Sequence, residues 1–233
     1  MRVLVAVVVL CLAIGLAAPA ARAESAEQYF PSGTWWSPGS KWSQEKSDVF
    51  YQDWFGGQFA AMQEAPLWTA TKADASGDVI RLLFSPTFLR PSVLRLTKAG
   101  IGDYLYDFRQ SDGAGGYDPG QLVVQDQGRL TRDQADQLEG LLAEVQPLTL
   151  DPDVTGKPDA DGNTWGCFDG TQTVLEVRLS GTYHAIKRHE CELPPDAPLW
   201  QVILLMDEIA KGRMIAPGTG LTRLGAGQRL RFP

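Results

Sequence analysis

The chain has 233 residues, a formal net charge of −7 at neutral pH and 44% hydrophobic residues. This length suits one domain with a substantial core, because domains commonly contain roughly 100–200 residues. An acidic protein is repelled by phosphate backbones and by anionic lipid. The composition therefore argues against nucleic acid or a membrane surface as the partner.

The first 23 residues have the pattern of a secretory signal peptide. Arg2 precedes an apolar run over residues 3–16, and residues 21–23 (Ala-Arg-Ala) fit a small-x-small cleavage site. The run is short for a membrane anchor. Lipidation of Cys11 is disfavoured because Leu10 stands where a lipoprotein signal has a small residue. We expect a periplasmic or secreted protein without stable membrane insertion after cleavage.

Cleavage would leave 19 basic and 28 acidic residues, hence a net charge of −9, and two cysteines, Cys167 and Cys191. In an oxidising compartment such a pair most simply forms one disulfide. The bond would close a loop of about 25 residues and stabilise the fold by roughly 3 kcal/mol. A free nucleophilic thiol and a metal-binding pair are the alternatives.

The first half of the mature chain changes from helical to strand periodicity. Residues 24–43 are Ser-, Gly- and Trp-rich and predict an irregular lead-in. Residues 44–63 are predicted to be helical, with a break near Gly56-Gly57, because apolar residues recur every three or four positions. That stripe consists of Tyr51, Trp54, Phe55, Phe59 and Met62. Strands are then predicted at residues 79–84, 93–97, 104–108 and 121–125.

The second half begins with a helix and ends with one. Thr131 and Gln134 form a capping box, and an apolar stripe follows them. Residues 151–166 predict a long polar loop, residues 199–211 a last helix, and residues 213–233 a loosely packed Arg- and Gly-containing tail. The apolar stripe that follows the capping box consists of Leu138, Leu141, Leu142 and Val145.

Between these helices, residues 173–179 and 182–188 predict a β-hairpin around the two-residue turn Ser180-Gly181. In the resulting register the numbers of opposite residues sum to 361. One face is apolar and is predicted to pack inward. The other is predicted to be solvated and to carry an ion pair between Glu176 and Lys187. The inward face contains Leu175, Val177, Leu179, Thr182, His184 and Ile186, and the solvated face also contains Arg178, Tyr183 and Ala185.

These elements predict an α+β fold in which a mainly antiparallel sheet of about six strands is packed by three helical segments. Residues 44–212 would form the single domain. The signal peptide over residues 1–23, the lead-in over residues 24–43 and the tail over residues 213–233 would lie outside it.

The two histidines differ by an odd number, so on one strand they point to opposite faces and do not bind one metal together. His184 lies among apolar residues, and we expect a core residue with one hydrogen bond. The alternative is a general base. His189, at the strand end, is expected to be exposed. Zinc at His189 and Cys191 is disfavoured because the chain has no CxxC pair.

Two further patterns invite site hypotheses. The segment Asp159-Ala160-Asp161-Gly162-Asn163 alternates oxygen ligands as a calcium loop does. Thr164 and Gly170, however, stand where the EF-hand has Gly and Glu, so a turn is the default. Three tryptophans in irregular chain could stack a glycan or another flat ligand, namely Trp35, Trp36 and Trp42. We expect no metal or cofactor.

Two motifs occur in a fixed order in the chain. One is GAGGYDPG, followed by a helix that opens with Leu-Thr. The other is a DG…E segment followed by GTYHAIKR. Together they resemble an uncharacterised family of bacterial exported or membrane-anchored proteins. The resemblance covers about residues 78–210 and implies no known activity. Its matching residues are Gly113, Gly115, Gly116, Tyr117, Pro119, Gly120, Asp169, Gly170, Glu176, Gly181, Tyr183, His184 and Arg188.

Two departures from this pattern stand out. Thr173 replaces a tryptophan, and His189-Glu190-Cys191 replaces Trp-Ser-Pro, so a disulfide to Cys167 would substitute for packing. We expect a non-enzymatic binding or envelope-associated protein with a protein or glycan partner. The alternatives are an enzyme that uses His184 with Glu176 or Asp169, and a structural module.

Overall fold

The computed structural model describes residues 28–38, 40–69, 77–155, 164–192, 197–213 and 228–232. The predicted signal peptide and the possible calcium loop at residues 159–163 lie outside this part of the chain. The helices are α1 (Gln44–Tyr51), a π-helical turn (Gln52–Gly56), α2 (Gly57–Ala61), α3 (Arg132–Val145), a 3₁₀ turn (Pro147–Thr149) and α4 (Pro198–Lys211). The strands are β1 (Val79–Pro86), β2 (Ser92–Gly100), β3 (Asp103–Ser111), β4 (Leu122–Arg129), β5 (Thr164–Phe168), β6 (Thr171–Leu179), β7 (Thr182–His189) and β8 (Gln228–Phe232).

Six strands form one antiparallel sheet in the order β4-β3-β2-β1-β6-β7. Consecutive strands pair through short connections, except that β6 returns to lie beside β1. Helices cover both faces of the sheet, and the predicted α+β class is confirmed. No helix among the described residues is long and apolar enough to cross a bilayer.

The β6–β7 hairpin has the predicted register, with Val177 opposite His184 and Leu175 opposite Ile186. Ser180 and Gly181 have φ values of 51° and 81°. A two-residue turn with positive φ at both positions matches the twist of the flanking strands and fixes which residues face each other. Each side chain of the hairpin therefore lies on its predicted face.

One face of the sheet packs against α3 and α4. Thr131 and Gln134 close the capping box at the start of α3, as predicted. Trp200 of α4 is fully buried against the apolar residues of the strands. The strand residues of this core include Ile80, Leu82, Leu94, Leu96, Leu175, Val177 and Ile186.

The other face is covered by α1, the π-helical turn and α2, so the prediction that the second hairpin face is solvated is wrong. Phe55, Phe59 and Met62 are fully buried on this face. The predicted lead-in also contributes to this core, through Tyr29, Phe30 and Trp35. Gly56 and Gly57 do not break the helix; they lie where the π-helical turn passes into α2.

The predictions of a polar loop over residues 151–166 and of a loosely packed tail over residues 213–233 are wrong in part. Each of these segments supplies residues to one strand of a separate two-stranded sheet. Strands β5 and β8 pair antiparallel, with Cys167 opposite Arg229. A disulfide joins Cys167 to Cys191, directly after β7. The predicted bond is therefore present, and it ties β5 to the six-stranded sheet.

Candidate functional site

A cluster of four aromatic side chains, two exposed and two half-buried, lies where α1 and the π-helical turn meet the loop between β3 and β4. We call Trp42, Phe50, Trp54 and Tyr117 the aromatic patch. Its ring centroids are 5.0 Å apart for Trp42 and Phe50, 5.6 Å for Phe50 and Trp54, and 4.9 Å for Trp54 and Tyr117. The side chain of Tyr117 is 69% exposed, and that of Trp42 is 37% exposed. Large aromatic surface held in water is typical of a contact surface.

The GAGGYDPG motif fixes the position of Tyr117. The Gly116 carbonyl accepts hydrogen bonds from Trp54 Nε1 and from Gln58 Nε2, both at 2.8 Å. Gly115 has φ 91°, and a Cβ there would lie 2.6 Å from the carbonyl oxygens of Pro86 and Leu89. Only glycine fits such a close approach at positive φ. The motif therefore builds a rigid loop that presents Tyr117 beside Trp54.

The three tryptophans predicted to bind have different environments. Trp35 is buried, with 6% of its surface exposed, and it packs edge-on against Phe30. Its role as a surface platform is wrong. Trp36 is half-buried and donates from Nε1 to the Trp42 carbonyl at 3.0 Å. Trp42 belongs to the aromatic patch. Sequence reasoning missed Tyr117 as a contact residue, and its only signal was an aromatic residue inside a glycine-rich loop.

Beneath the helices that cover this face lies a buried charge network. Arg81, in the middle of β1, contacts Glu176 Oε2 through Nη2 at 2.7 Å and Glu64 Oε2 through Nη1 at 3.1 Å. Tyr183 donates to Glu176 Oε1 at 2.8 Å. Burial raises the pKa of Glu176, whereas Arg81 and Tyr183 favour its charged form. The Arg81 guanidinium also packs on the Phe59 ring.

The network continues across the sheet towards β3. Glu64 is also near Arg95, at 3.5 Å, and Arg109, at 3.4 Å. Both arginines contact Asp107. Burial raises the pKa of Asp107, but Arg109, Gln127 and Arg95 together outweigh it and lower the pKa. Charges of both signs therefore alternate beneath α2. These contacts have the form of a structural ion-pair network, and each carboxylate in it contacts an arginine.

The predicted surface ion pair between Glu176 and Lys187 is wrong. Both side chains are buried, with exposures of 0% and 2%, and they bind different partners. Lys187 Nζ contacts Asp153 at 3.0 Å and donates to Thr155 at 2.7 Å. Although burial lowers its pKa, the neighbouring Tyr51 and Asp153 outweigh that effect and raise it. Lys187 therefore holds residues 153–155 against β7, which is an edge strand of the sheet.

A groove of about 470 Å³ lies at the uncovered end of this face, over β2, β3 and β4. Its charged groups are already paired: Arg95 contacts Asp107 at 2.9 Å, and Arg129 contacts Asp103. The groove thus offers a weaker case for ligand binding than the aromatic patch. Its lining residues include Arg95, Thr97, Asp107, Gln127 and Arg129.

His184 is half-buried, and its Nε2 lies 2.8 Å from the Leu150 carbonyl. It has the one hydrogen bond that we expected, but the predicted core position is wrong, because His184 is only half-buried. The register does not bring His184 to Glu176. Val177 pairs with His184 and shares its face of the sheet, whereas Glu176, next to Val177, points to the other face. Asp169 precedes β6, whose Gln172 pairs with His189, so it lies roughly 16 Å or more along the hairpin from His184. Neither proposed dyad is assembled.

His184→Ala is expected to lower the free energy of unfolding by about 1 kcal/mol, because one hydrogen bond to a carbonyl is lost at a half-buried position. Urea denaturation measures the change. Thr182→Ala, at an exposed position of the same strand, is the control and should cost less. A loss above about 3 kcal/mol would place His184 in the core instead.

His189 is buried, with 4% exposure, so its predicted exposure at the strand end is wrong. Its Nδ1 accepts a hydrogen bond from the Cys191 amide at 3.2 Å. Burial lowers its pKa, although Glu192 opposes that effect. Within the described residues, the sulfurs of Cys167 and Cys191 and a ring nitrogen of His189 form the one group that could hold a metal ion; these atoms lie within 4.8 Å of one another.

The remaining motif residues support the fold. Asp169 and Gly170, with φ values of 56° and 99°, make the turn before β6, and the Gly170 carbonyl accepts from the Thr87 amide at 2.8 Å. Arg188 Nη2 donates to the Asp151 carbonyl at 2.8 Å and so holds the chain at Asp151 beside β7. The DG…E and GTYHAIKR motif is therefore mainly architectural, and the GAGGYDPG motif carries the exposed aromatic ring.

Comparison of the sequence with protein-family models and with curated proteins gives no match. Function must therefore be inferred from the residues themselves. The aromatic patch is the described feature that best fits contact with a ligand.

Proposed function

We propose that the protein is a non-enzymatic binding protein of the cell envelope and that the aromatic patch contacts its ligand. The observation that carries the proposal is Tyr117. The residue is 69% exposed, and the loop that holds it is fixed to Trp54 and Gln58 through the Gly116 carbonyl. A rigid aromatic side chain binds with little loss of conformational entropy, which is why such residues act as anchors at binding surfaces.

A neutral glycan chain is the ligand that this patch fits best. Aromatic rings stack on the apolar faces of sugar rings. The net charge of −9 on the chain without its predicted signal peptide would repel anionic polymers, but not neutral sugars. The disulfide between Cys167 and Cys191 agrees with a periplasmic or secreted location. A protein partner is the alternative ligand for the same patch.

Two other functions have less support. An enzyme that uses His184 would need a carboxylate near its ring. Glu176 lies on the other face of the hairpin, and Asp169 lies before its first strand. A purely structural module would gain nothing from holding Tyr117 in water. Variants of Tyr117 that change binding without changing stability distinguish a binding protein from such a module.

Titration with soluble oligomers of β-1,4-linked N-acetylglucosamine tests the proposal, with tryptophan fluorescence as the readout. We expect saturable binding and a change in emission, because a sugar on Tyr117 would also lie near Trp54. Tyr117→Ala should weaken binding at least tenfold, equivalent to about 1.4 kcal/mol. Tyr117→Phe keeps the ring and should retain most of the affinity.

Ile101→Ala is the matched control. Ile101 is 88% exposed in the β2–β3 turn, at the opposite end of the strands from the GAGGYDPG loop. Its removal should leave the affinity unchanged. Equal binding by wild type and Tyr117→Ala would remove the patch from the proposal. If the wild type bound none of the oligomers, the glycan would be excluded as ligand and a protein partner would take its place.

A further inference from the structure

Cys167, Cys191 and His189 bring two kinds of metal-ligating atom together at the junction of the two sheets. The two sulfurs and a ring nitrogen of His189 all lie within 4.8 Å of one another. Cys191 and His189 are buried, with exposures of 8% and 4%, whereas Cys167 is half-buried. In the structure the sulfurs are joined as a disulfide, so they have no thiolate charge to offer a cation.

We propose that reduction of this disulfide creates a zinc site, in which the thiolates of Cys167 and Cys191 and the imidazole of His189 hold one Zn²⁺. Two thiolates and one imidazole are ligands that zinc prefers, and together they neutralise the charge of the ion. Water would fill the fourth position from the side of half-buried Cys167. The proposal is independent of ligand binding at the aromatic patch.

The geometry needs only a small change. In a tetrahedral zinc site with Zn–S distances of about 2.3 Å, the two sulfurs lie roughly 3.8 Å apart. In a disulfide they lie about 2.0 Å apart, so together they must move by roughly 1.8 Å. Rotation about the Cα–Cβ bonds allows this movement, while the two Cα atoms, 6.2 Å apart, keep their positions. A ring nitrogen of His189 already lies within 4.8 Å of both sulfurs.

The backbone around His189 determines which ring nitrogen is free of a proton. The His189 amide donates to Glu192 Oε2 at 2.7 Å, and the Cys191 amide donates to Nδ1 at 3.2 Å, so Nδ1 is the unprotonated ring nitrogen. These bonds hold His189 and Cys191 in one tight turn, and Zn²⁺ would bind Nδ1 in place of the hydrogen bond from the Cys191 amide. The opposing ligand comes from β5. The metal would therefore cross-link the same two elements that the disulfide joins.

The reaction balances with a phosphine reductant. Two electrons from phosphorus cleave the S–S bond, water supplies two protons and the oxygen of the phosphine oxide, and two thiols form. Binding of Zn²⁺ then releases the two thiol protons. A dithiol of the thioredoxin class would serve the same purpose in a cell and would itself be oxidised to a disulfide.

The test uses the full mature chain, reduced with a phosphine that does not compete for the metal and then titrated with Zn²⁺ or Co²⁺. We expect one metal per chain by native mass spectrometry. With Co²⁺ we expect the sulfur-to-metal charge-transfer absorption of a thiolate site. The oxidised protein should bind none. His189→Gln should weaken metal binding at least tenfold, whereas His184→Gln, on the same strand, should not change it.

If the native disulfide resists reduction, the chain is reduced in urea and refolded by dilution with and without Zn²⁺. Circular dichroism and alkylation of the thiols then report the outcome. Metal-dependent refolding with protected thiols supports the site. Absence of metal binding by the reduced wild type, or equal binding by His189→Gln, overturns it.

Discussion

Arg81→Met should lower the free energy of unfolding by about 3–5 kcal/mol. Arg81 is 1% exposed and contacts the carboxylates of Glu176 and Glu64, which are 0% and 2% exposed. Methionine fills a similar volume but leaves Glu176 buried without a cation. A charge that stays buried without its partner destabilises the fold by far more than the intact ion pair stabilises it.

Urea denaturation of wild type and variant measures this loss, and two further variants test its cause. Arg132→Met removes an arginine whose side chain is 64% exposed and pairs with Asp136 one helical turn away, so it should cost about 0.5 kcal/mol or less. Arg81→Met combined with Glu176→Leu removes both charges and should recover part of the loss. If Arg81→Met cost no more than Arg132→Met, the network would have no structural role.

The register of the β6–β7 hairpin could be predicted from sequence because it depends on local chemistry. Ser180 and Gly181 allow a turn with positive φ, and that turn determines which residues pair. The capping box at Thr131 was predictable for the same reason. Both features are encoded within a few residues of the chain, where propensity and hydrogen bonding are sufficient.

The burial of Glu176 and Lys187 could not be predicted in this way, because the elements that cover them are distant in sequence. The contact between Arg81 and Glu176 joins residues 95 positions apart. Charged residues on one face of a hairpin normally indicate solvent, and here α1, the π-helical turn and α2 cover that face. The available signal was Arg81 itself, a lone charge inside the apolar run of β1 that required a partner.

The aromatic patch was predicted only in part, again because of distance along the chain. Trp42, one of the three tryptophans in irregular chain that could stack a ligand, is exposed. Trp35, another of the three, packs against Phe30 and Phe55 in the core. Tyr117 joins the patch through the Gly116 carbonyl, 62 residues from its partner Trp54. Composition identified an aromatic region but not which rings face solvent.

Replacing both Cys167 and Cys191 by alanine should lower the free energy of unfolding by about 3 kcal/mol. The disulfide joins residues 24 positions apart, and it restricts the unfolded chain more than the folded one. Alanine is preferred to serine because Cys191 is buried, and a hydroxyl without a partner there would add its own cost. Urea denaturation with a metal chelator present measures the effect of the covalent bond alone.

The single variant Cys191→Ala is the control, because removing one sulfur already breaks the bond. It should be destabilised almost as much as the double variant, and both should have unchanged stability in the presence of a phosphine reductant. Hydrogen exchange locates the change: because Cys167 joins β5 to the end of β7, the amides of the β5–β8 pair should lose protection before those of β1 and β6. A double variant within about 0.5 kcal/mol of wild type would show that the two-stranded sheet is held by its other contacts and that the disulfide contributes little to the fold.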